Sequence, residues 1–510
     1  MPEQKTGSDI RFSRSLSPWQ VIFRGAGVMV VLTIFVLMGD TIAAVGAIAP
    51  LIILLAVILL LINILGYVEL TTSIPGFNQK RSQEGTRFGG AYAQVHESHG
   101  GWLAFLIGWI LILGGICISS LLAQGFALQV STLLRDHLGL ILPNWLWAAI
   151  LVILSAANNG LGTQGRRQSQ YFLLLMILVL GFSILAIPQI DLNYFQVSQL
   201  NWQEILPILI VPFVGIEIVA NLQGEMRQRR KAISRAILLT PVLSVAFVTV
   251  IVTVTVGVVG TKALTEGSVP MALLGTRVIG GAGRPLILII GAFGLALAFG
   301  NTFTLVTRQI YRMSKDGYWP SVFRKIHPRF GTASWTTLLV AMLILPLIAL
   351  PSKILSQVSG LIYLLVLMGV NFTLILRPQM ESASFKLPFH PWIPGLAVIV
   401  DLFLLPLSGT VYLLSVVGCL ASGLLIYLLY AGGHHTEAKE GITVFKPRPE
   451  ERAEVGYRIL VPIANPTTAD TLLRLAGDLA CQQGGEVLAL QVVTVPDQVP
   501  LEEGRRRAAT

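Results

Sequence analysis

The chain contains twelve predominantly apolar runs that are long enough, some of them only with their flanking residues, to cross the hydrocarbon core of a bilayer. Lipid offers no partner for a free backbone N–H or C=O, so a spanning run must be a helix or a strand of a closed barrel. These runs are too long and too uniformly apolar for barrel strands. We therefore predict an all-α polytopic membrane protein. Its spans lie near 22–46, 48–70, 102–130, 145–160, 170–188, 204–222, 236–260, 285–307, 335–351, 354–376, 392–407 and 409–430.

Composition agrees with a membrane location and argues against an enzyme. Of the 510 residues, 54% are hydrophobic and 12% are charged, which is too little polar surface for a water-soluble fold of this size. The three cysteines, Cys117, Cys419 and Cys481, fall in two different spans and in the tail, so they indicate no disulfide framework. No metal-ligand spacing, catalytic triad or phosphate-binding loop can be assembled. We expect no cofactor and no enzymatic activity.

The positive charge of the chain indicates its orientation in the membrane. The formal net charge is +10, yet 31 of the 36 Lys and Arg residues fall on one side of the predicted spans, the side that holds both termini. The five on the other side are Arg135, Lys262, Arg277, Arg284 and Lys353. Because basic loops stay in the cytosol, we expect both termini to be cytosolic in an inner or plasma membrane. The basicity then requires no nucleic-acid partner.

Composition also divides the chain into segments. We expect a cytosolic N-terminal segment over 1–20, a transmembrane domain over 21–430, a linker over 431–456 and a small cytosolic unit over 457–510. In the last segment, an apolar run at 457–463, a helical pattern at 467–483 and a second apolar run at 487–493 predict a β-α-β unit. One such unit leaves apolar surface bare. We expect it to pack on the membrane domain or to pair with a second copy in a homodimer.

Three groups of sequence motifs follow one another along the predicted membrane domain. They are Gly89 to Tyr92 with Gly101-Trp102 and Gly108-Trp109, the basic segment 308–320 with 327–331, and Arg377-Pro378 with 385–388 and Pro391. In these motifs the chain resembles the amino acid–polyamine–organocation superfamily of transporters. The resemblance implies a LeuT-like five-plus-five inverted repeat with broken first and sixth helices. It also implies no enzyme, but secondary transport of a small molecule through the lipid bilayer.

The C-terminal segment resembles part of a universal-stress-protein domain. In that family an acidic residue that contacts adenine follows the first strand, and here it would fall near Ala464 or Asn465. Neither residue is acidic, and the glycine-rich phosphate loop of the family has no counterpart before Thr510. We therefore expect a partial universal-stress-protein-like segment without nucleotide binding.

The family resemblance implies where the substrate would bind. A broken helix frees N–H and C=O groups that can hold the charged ends of a small molecule at mid-membrane. The matching substrate-binding positions are Thr33 and Ile34 in the first span, Phe213, Gly215 and Ile216 in the sixth, and Asn301 and Thr302 in the eighth. Secondary candidates are Ser119, Ser120 and Thr304, although hydroxyls in membrane helices often bond only to the preceding turn.

Glu217 is the candidate coupling or gating residue. It stands in the Gly-x-Glu position of the family's sixth span, about ten residues or ~15 Å from the basic end at Arg227. A carboxylate at that depth must be solvated, paired or protonated. Either it exchanges a coupling proton, or it permanently binds the loose backbone of the broken helix. Asp401 is a second deep acid, in the eleventh span, for which we expect a packing or oligomer contact.

The first span departs from its family at the substrate site. The family has a Gly-x-Gly motif before Ile-Phe, whereas this chain has Val31-Leu32-Thr33 before Ile34-Phe35. Bulky or β-branched residues hinder close backbone approach by an α-amino acid. The leading hypothesis is a transporter of amino acids or related organic cations, coupled to protons or sodium. The alternatives are an inorganic-cation transporter of the potassium type and a transport-dead sensor that signals through the tail.

The charge distribution yields a test of topology. In otherwise cysteine-free protein, Ser268→Cys should react with an impermeant maleimide added to intact cells, because the loop after the predicted span 236–260 lies on the side with few basic residues. Ser321→Cys should react only after the membrane is permeabilised. The opposite labelling pattern would overturn the predicted orientation.

Overall fold

The structure is a computed structural model that describes eleven ranges of the chain. They are 16–73, 90–161, 167–195, 205–226, 230–266, 269–327, 332–376, 385–387, 389–434, 458–463 and 466–491. The chain divides into two compact units, Met1–Glu437 and Ala438–Thr510. Parts of the motifs at 89, 328–331, 377–378 and 388, the basic end at Arg227, and positions Ala464 and Asn465 lie outside the described residues.

The first unit is helical throughout its described residues. Its α-helices are α1 (Pro18–Leu32), α2 (Met38–Val45), α3 (Ala49–Ser73), α4 (Ala91–Ser98), α5 (Gly101–Leu138), α6 (Asn144–Gly160), α7 (Gln168–Ala186), α8 (Leu206–Ile210), α9 (Val214–Leu222), α10 (Arg230–Val259), α11 (Thr261–Glu266), α12 (Pro270–Ile279), α13 (Gly283–Lys315), α14 (Ser334–Leu347), α15 (Ser352–Ile375), α16 (Trp392–Leu404), α17 (Thr410–Ile426) and α18 (Gly432–His434). Two π-helical turns, Thr33–Leu37 and Tyr427–Ala431, and short 3₁₀ turns such as Val211–Phe213 connect some of them.

Each of the twelve predicted spans corresponds to one helix, except that α1 and α2 share the first span and α8 and α9 the sixth. The short helices α4, α11, α12 and α18 lie outside the predicted spans. By length and composition, seven continuous helical stretches of the described residues are able to cross a membrane, and α14 and α16 are shorter apolar helices. The stretch Pro18–Thr71 holds the first two spans. They are separated at Gly46, whose φ of 59° bends the chain. The chain is a multi-pass membrane protein.

Two boundaries differ from the sequence prediction. The eighth span, predicted near 285–307, continues as a helix into the basic segment as far as Lys315, because Gln309, Ile310 and Met313 continue the buried face of α13. The first helix begins at Pro18, inside the expected N-terminal segment 1–20. There Ser17 and Gln20 form a reciprocal capping box, in which the backbone N–H of each residue donates to the side chain of the other.

Helix α5 lies at the centre of the first unit and α17 at its edge. In their most apolar windows, 83% of the α5 residues are buried against 11% for α17. Helix α5 packs along α13 and α15, while α10 packs along α3 and α1. Residues of α17 such as Val411, Leu414 and Leu425 therefore remain exposed, as expected for a helix that faces lipid.

Helices α1 and α9 cross in direct backbone contact at two glycines. A Cβ atom on Gly25 would lie 2.6 Å from the carbonyl oxygen of Gly215, and one on Gly215 would lie 2.5 Å from the carbonyl oxygen of Gly25. Small residues allow this approach, which is the usual way that membrane helices pack closely. Gly215 is one of the predicted substrate-binding residues, and in the structure its lack of a side chain allows α1 to pack against α9.

The second unit has two strands and one helix in its described residues. Strand β1 (Arg458–Ile463) pairs in parallel with β2 (Glu486–Gln491), with Arg458 opposite Glu486 and Ile463 opposite Gln491. Helix α19 (Pro466–Gln482) connects them, and its Ala476 and Ala480 are buried together with Val461 of β1. Leu460 and Leu488 stay exposed, so apolar surface of this unit is uncovered within the unit itself.

The glycine crossing predicts a sharp difference between two substitutions. Gly25→Ala should lower the thermal stability of the detergent-purified protein by several degrees, because the new methyl group meets backbone, which cannot rotate away. Gly181→Ala in α7 is the matched control, since nothing lies within 4 Å of its Cβ position. It should leave the midpoint unchanged or raise it. Equal midpoints for the two variants would contradict the close crossing.

Candidate functional site

The two helices expected to be broken are interrupted by turns of altered periodicity. The first span passes through the π-helical turn Thr33–Leu37, and the sixth passes through the 3₁₀ turn Val211–Phe213. Leu32 and Met38, which flank the π turn, both have right-handed helical backbone angles. Bulky and β-branched residues favour this compact form over the open backbone that glycines permit. Single π turns inside α-helices are frequent at functional sites.

The predicted substrate-binding residues of these turns are buried. Thr33 donates its hydroxyl to the carbonyl of Met29 at 2.8 Å, and Ile34 is 1% exposed. Phe213 and Ile216 are fully buried. The residues therefore occupy the interior where the resemblance puts them, but their polar groups are already engaged within the helix.

Two tyrosines flank Phe213 on either side. The ring of Tyr67 on α3 meets it edge-on with a centroid distance of 5.6 Å, and the ring of Tyr363 on α15 lies 5.9 Å away. Tyr363 is fully buried, and its hydroxyl has no hydrogen-bond partner among the described residues. Burying a hydroxyl group without a hydrogen-bond partner costs free energy, so the Tyr363 hydroxyl is a candidate contact for a ligand.

A small cavity lies beside the π turn. Its volume of about 10 Å³ has room for roughly one water-sized sphere. It is lined by Met29, Thr33, Ile53, Ala56, Leu60, Ser244, Val245 and Val248. Thr33 and Ser244 contribute hydroxyl groups that donate to carbonyls of their own helices and keep lone pairs for a ligand. Glu217 is not among the lining residues.

Glu217 connects three helices instead of facing this cavity. Its carboxylate accepts hydrogen bonds from the Tyr67 hydroxyl of α3 at 2.7 Å, from the Ala91 N–H of α4 at 3.3 Å and from the Asn221 amide of α9 at 2.9 Å. The side chain is 1% exposed. Every one of these partners donates, which matches the acceptor-only character of a carboxylate. We call Glu217 with these three partners the carboxylate clasp.

The Gly-Gly-Ala-Tyr motif acquires a specific role in this clasp. Gly90 has a φ of 109°, and a Cβ atom there would lie 2.4 Å from Oε1 of Glu217 and 2.7 Å from Nδ2 of Asn221. Only glycine therefore fits at this position. It lets the N-terminus of α4 approach the carboxylate, so that the Ala91 N–H can donate to it.

The polar residues of the third and eighth spans bond mainly to their own helices. Asn301 donates to the Leu297 carbonyl, Ser120 to that of Ile116, and Thr304 to that of Gly300. Three of them also bond to another helix: the Ser119 hydroxyl donates to that of Thr302 at 3.2 Å and joins α5 to α13, and the Thr304 hydroxyl accepts from the Asn159 amide of α6 at 3.3 Å. The structure brings none of these five into the lining of the cavity.

An ion pair closes the end of the unit where α1 begins. Arg308 of α13 lies 2.7 Å from Glu225, just after α9, and the Leu16 N–H donates to the Glu225 carbonyl. Arg24 of α1 donates to Ser169 at the start of α7. A second ion pair joins Arg284, at the start of α13, to Asp136, near the end of α5. On α13 it therefore lies at the end opposite to Arg308.

The sequence indicated Glu217 and Phe213 as candidate site residues, but it did not predict the residues that contact them. Those residues are Tyr67, Gly90 and Asn221 at Glu217, and Tyr67 and Tyr363 at Phe213. A usable signal existed for the two tyrosines, since each interrupts an otherwise apolar span well inside its helix. Their convergence on one phenylalanine depends on helix packing, which no local pattern specifies.

Comparison with known proteins supports a common family. Residues 16–442 match the family described as amino acid permease. A methylthioribose transporter of Bacillus subtilis (strain 168) is 26% identical over 83% of this chain and 94% of its own length. The branched-chain amino acid permease BcaP of the same organism is 24% identical over 84% and 95%, respectively. Its serine/threonine exchanger SteT is 25% identical over 74% and 85%.

The clasp predicts the effect of an isosteric substitution. Glu217→Gln replaces one acceptor oxygen by an NH₂ group, so at least one of the three donors loses its acceptor. We expect a loss of about 1–3 kcal/mol in the free energy of unfolding. Denaturant unfolding in mixed micelles, followed by tryptophan fluorescence, measures it.

A double-mutant cycle identifies the clasp as the cause. Tyr67→Phe removes one of the donors, so the double variant Tyr67→Phe with Glu217→Gln should lose less stability than the sum of the two single variants. Strict additivity, or wild-type stability of Glu217→Gln, would contradict this account of the clasp.

Proposed function

The chain belongs to the amino acid permease family, and on that premise we propose that it is a secondary active transporter of amino acids or related small organic cations, working by alternating access. The family match over nearly the whole membrane unit carries this proposal. The relatives named as a branched-chain amino acid permease and a serine/threonine exchanger support an amino acid as substrate. The relative named as a methylthioribose transporter supports a wider set of candidates.

We place the substrate between the π turn of the first span and the 3₁₀ turn of the sixth. Thr33 and Ile34 would contribute one wall, and Phe213, Gly215 and Ile216 the other. The aromatic faces of Tyr67 and Phe213 suit an ammonium group or an apolar side chain. The unpartnered Tyr363 hydroxyl supports a polar contact at the same place. Asn301 and Thr302 remain candidates for a conformer in which α13 turns towards the site.

We assign Glu217 to gating. Its clasp joins α3, α4 and α9, so an inward opening that separates α9 from α3 and α4 would have to break the charge-assisted hydrogen bonds that Tyr67 and Ala91 donate. The ion pair of Arg308 with Glu225 would be released at the same end. Donors on every side favour a lasting clasp over a group that exchanges a proton in each cycle.

The second candidate function is transport of an inorganic cation. The cavity of about 10 Å³ has room for a single dehydrated ion, and the hydroxyls of Thr33 and Ser244 supply two of the several oxygen ligands that such an ion needs. The apolar residues at Val31 and Leu32, where the family has room for an α-carboxylate, favour the same alternative.

Uptake into proteoliposomes tests both candidates. Radiolabelled branched-chain, hydroxylated and cationic amino acids, methylthioribose and rubidium should be compared under imposed proton and sodium gradients. The proposal expects saturable accumulation of at least one organic substrate that unlabelled substrate competes away. Rubidium uptake alone would support the second candidate, and no uptake of any of them would support a sensor.

The Tyr363 hydroxyl supplies the site-specific prediction. Tyr363→Phe removes no hydrogen bond of the described structure, so the stability of the protein should be unchanged, while KM for the transported substrate should rise by roughly tenfold, equivalent to about 1.4 kcal/mol. Tyr171→Phe, on the exposed face of α7, is the matched control and should keep the wild-type KM. An unchanged KM in Tyr363→Phe would remove this hydroxyl from the site.

A further inference from the structure

A polar chain of hydrogen bonds joins α3, α15 and α16, one helical turn along α3 from the clasp. Asn63 of α3 donates its amide to Oδ1 of Asp401 on α16 at 3.0 Å. Asn371 of α15 donates its amide to Oδ1 of Asn63, also at 3.0 Å. All three side chains are at most 1% exposed. Gly66 makes room for the chain, since a Cβ atom there would overlap Oδ1 of Asn371.

Two oxygen atoms of this chain lack partners. Within the described residues, Oδ2 of Asp401 and Oδ1 of Asn371 are buried and accept no hydrogen bond. An ionised carboxylate in that state has one oxygen desolvated and bare, which is far more costly than a neutral acid. Glu217 is the contrast, because both of its oxygens accept hydrogen bonds.

The charged and titratable groups on the helices around Asp401 are directed elsewhere. Helix α16 packs on α15, on α3 and on the turn Leu405–Ser408. On α3, Tyr67 donates to Glu217, and Glu69 accepts from the Leu387 N–H. On α15, Tyr363 packs on Phe213, and Lys353 precedes Asn371 by 18 residues, roughly 27 Å of helix.

The remaining groups near α16 do not supply a counter-charge either. The turn Leu405–Ser408 has no titratable side chain, and α16 itself has none besides Asp401. His390, in the segment before α16, lies against the Leu374 carbonyl. Among the described residues, therefore, no cation on a packed helix is bonded to the Asp401 carboxylate.

We propose that Asp401, with Asn63 and Asn371, forms a proton-binding site within the membrane that is separate from the carboxylate clasp. A proton on Oδ2 cancels the buried charge and converts the bare acceptor into a donor. Asn371 Oδ1 is an acceptor without a donor in the same chain. The chain thus has two acceptors without donors, and one added proton removes one of these acceptors and provides one donor. A sodium ion would need several more oxygen ligands than these two free ones.

The site has a direct structural route to the clasp. Asn63 and Tyr67 are four residues apart on α3, so they lie on adjacent turns of one face. Asn63 bonds to Asp401, and Tyr67 bonds to Glu217. Loss or gain of the proton at Asp401 changes what holds α3 at one turn, while the clasp holds it at the next. A role in coupling rests on the proposed transport function, whereas proton binding itself does not.

Infrared spectroscopy of the full-length protein in liposomes tests proton binding without any substrate. The wild type should show a carbonyl-stretch band of a protonated carboxylic acid that shifts in deuterated water and disappears as the pH is raised. Asp401→Asn should lack this band, and Glu217→Gln, the matched control, should retain it. Asn371→Ala should shift the pH at which the band titrates, which tests the site even if Asp401→Asn does not fold.

Transport measurements then test coupling. For a transported substrate, Asp401→Asn should lower the ratio of pH-gradient-driven accumulation to equilibrium exchange by at least tenfold. A wild type without the band, a band that survives in Asp401→Asn, or accumulation driven by sodium and abolished in this variant would overturn the proposal. Failure of all uptake together with the expected infrared result would refute the proposed transport function and leave the proton site standing.

Discussion

The interior of this protein is organised by one constraint, which is that polar groups removed from water by lipid must find partners within the chain. The carboxylate clasp is its clearest expression. Glu217 is surrounded by donors from α3, α4 and α9, and Gly90 is needed for one of those donors to approach. Because the partners come from separate helices, satisfying one acid fixes the relative positions of all three helices.

The same constraint distinguishes two of the acids buried in the membrane unit, Glu217 and Asp401. Glu217 has donors on both oxygens, whereas Asp401 has one donor and a bare oxygen in the described structure. An acid that is fully bonded stabilises a particular arrangement of helices, and an acid that is half bonded is sensitive to protonation. The proposed division of labour, gating at Glu217 and proton binding at Asp401, follows from this difference in hydrogen bonding. Depth in the membrane alone does not separate the two.

The closed crossing of α1 and α9 bears on the departure of the first span from its family. Gly25 and Gly215 bring the two helices into backbone contact, and the π turn follows two turns later in α1. The first span thus has a glycine, Gly25, where the helices cross, and Val31-Leu32-Thr33 where the family resemblance places the Gly-x-Gly motif. A ligand in this chain would meet the Thr33 hydroxyl and aromatic faces in place of exposed peptide groups, which favours substrates that do not depend on carboxylate recognition by the first helix.

By itself, the sequence determined that the chain crosses a membrane repeatedly as helices, because long apolar runs have no other way to satisfy their backbone in lipid. It also pointed to the family, through motifs at fixed order, and to Glu217, as an acid too deep to be incidental. Only the tertiary structure showed what that acid contacts, because its partners Tyr67, Ala91 and Asn221 come from three helices. Likewise, the sequence predicts a packing or oligomer contact for Asp401, and only the structure shows Asn63 bonded to it and Asn371 bonded to Asn63. Hydrogen bonds between distant segments have no periodicity along the chain, so packing alone reveals them.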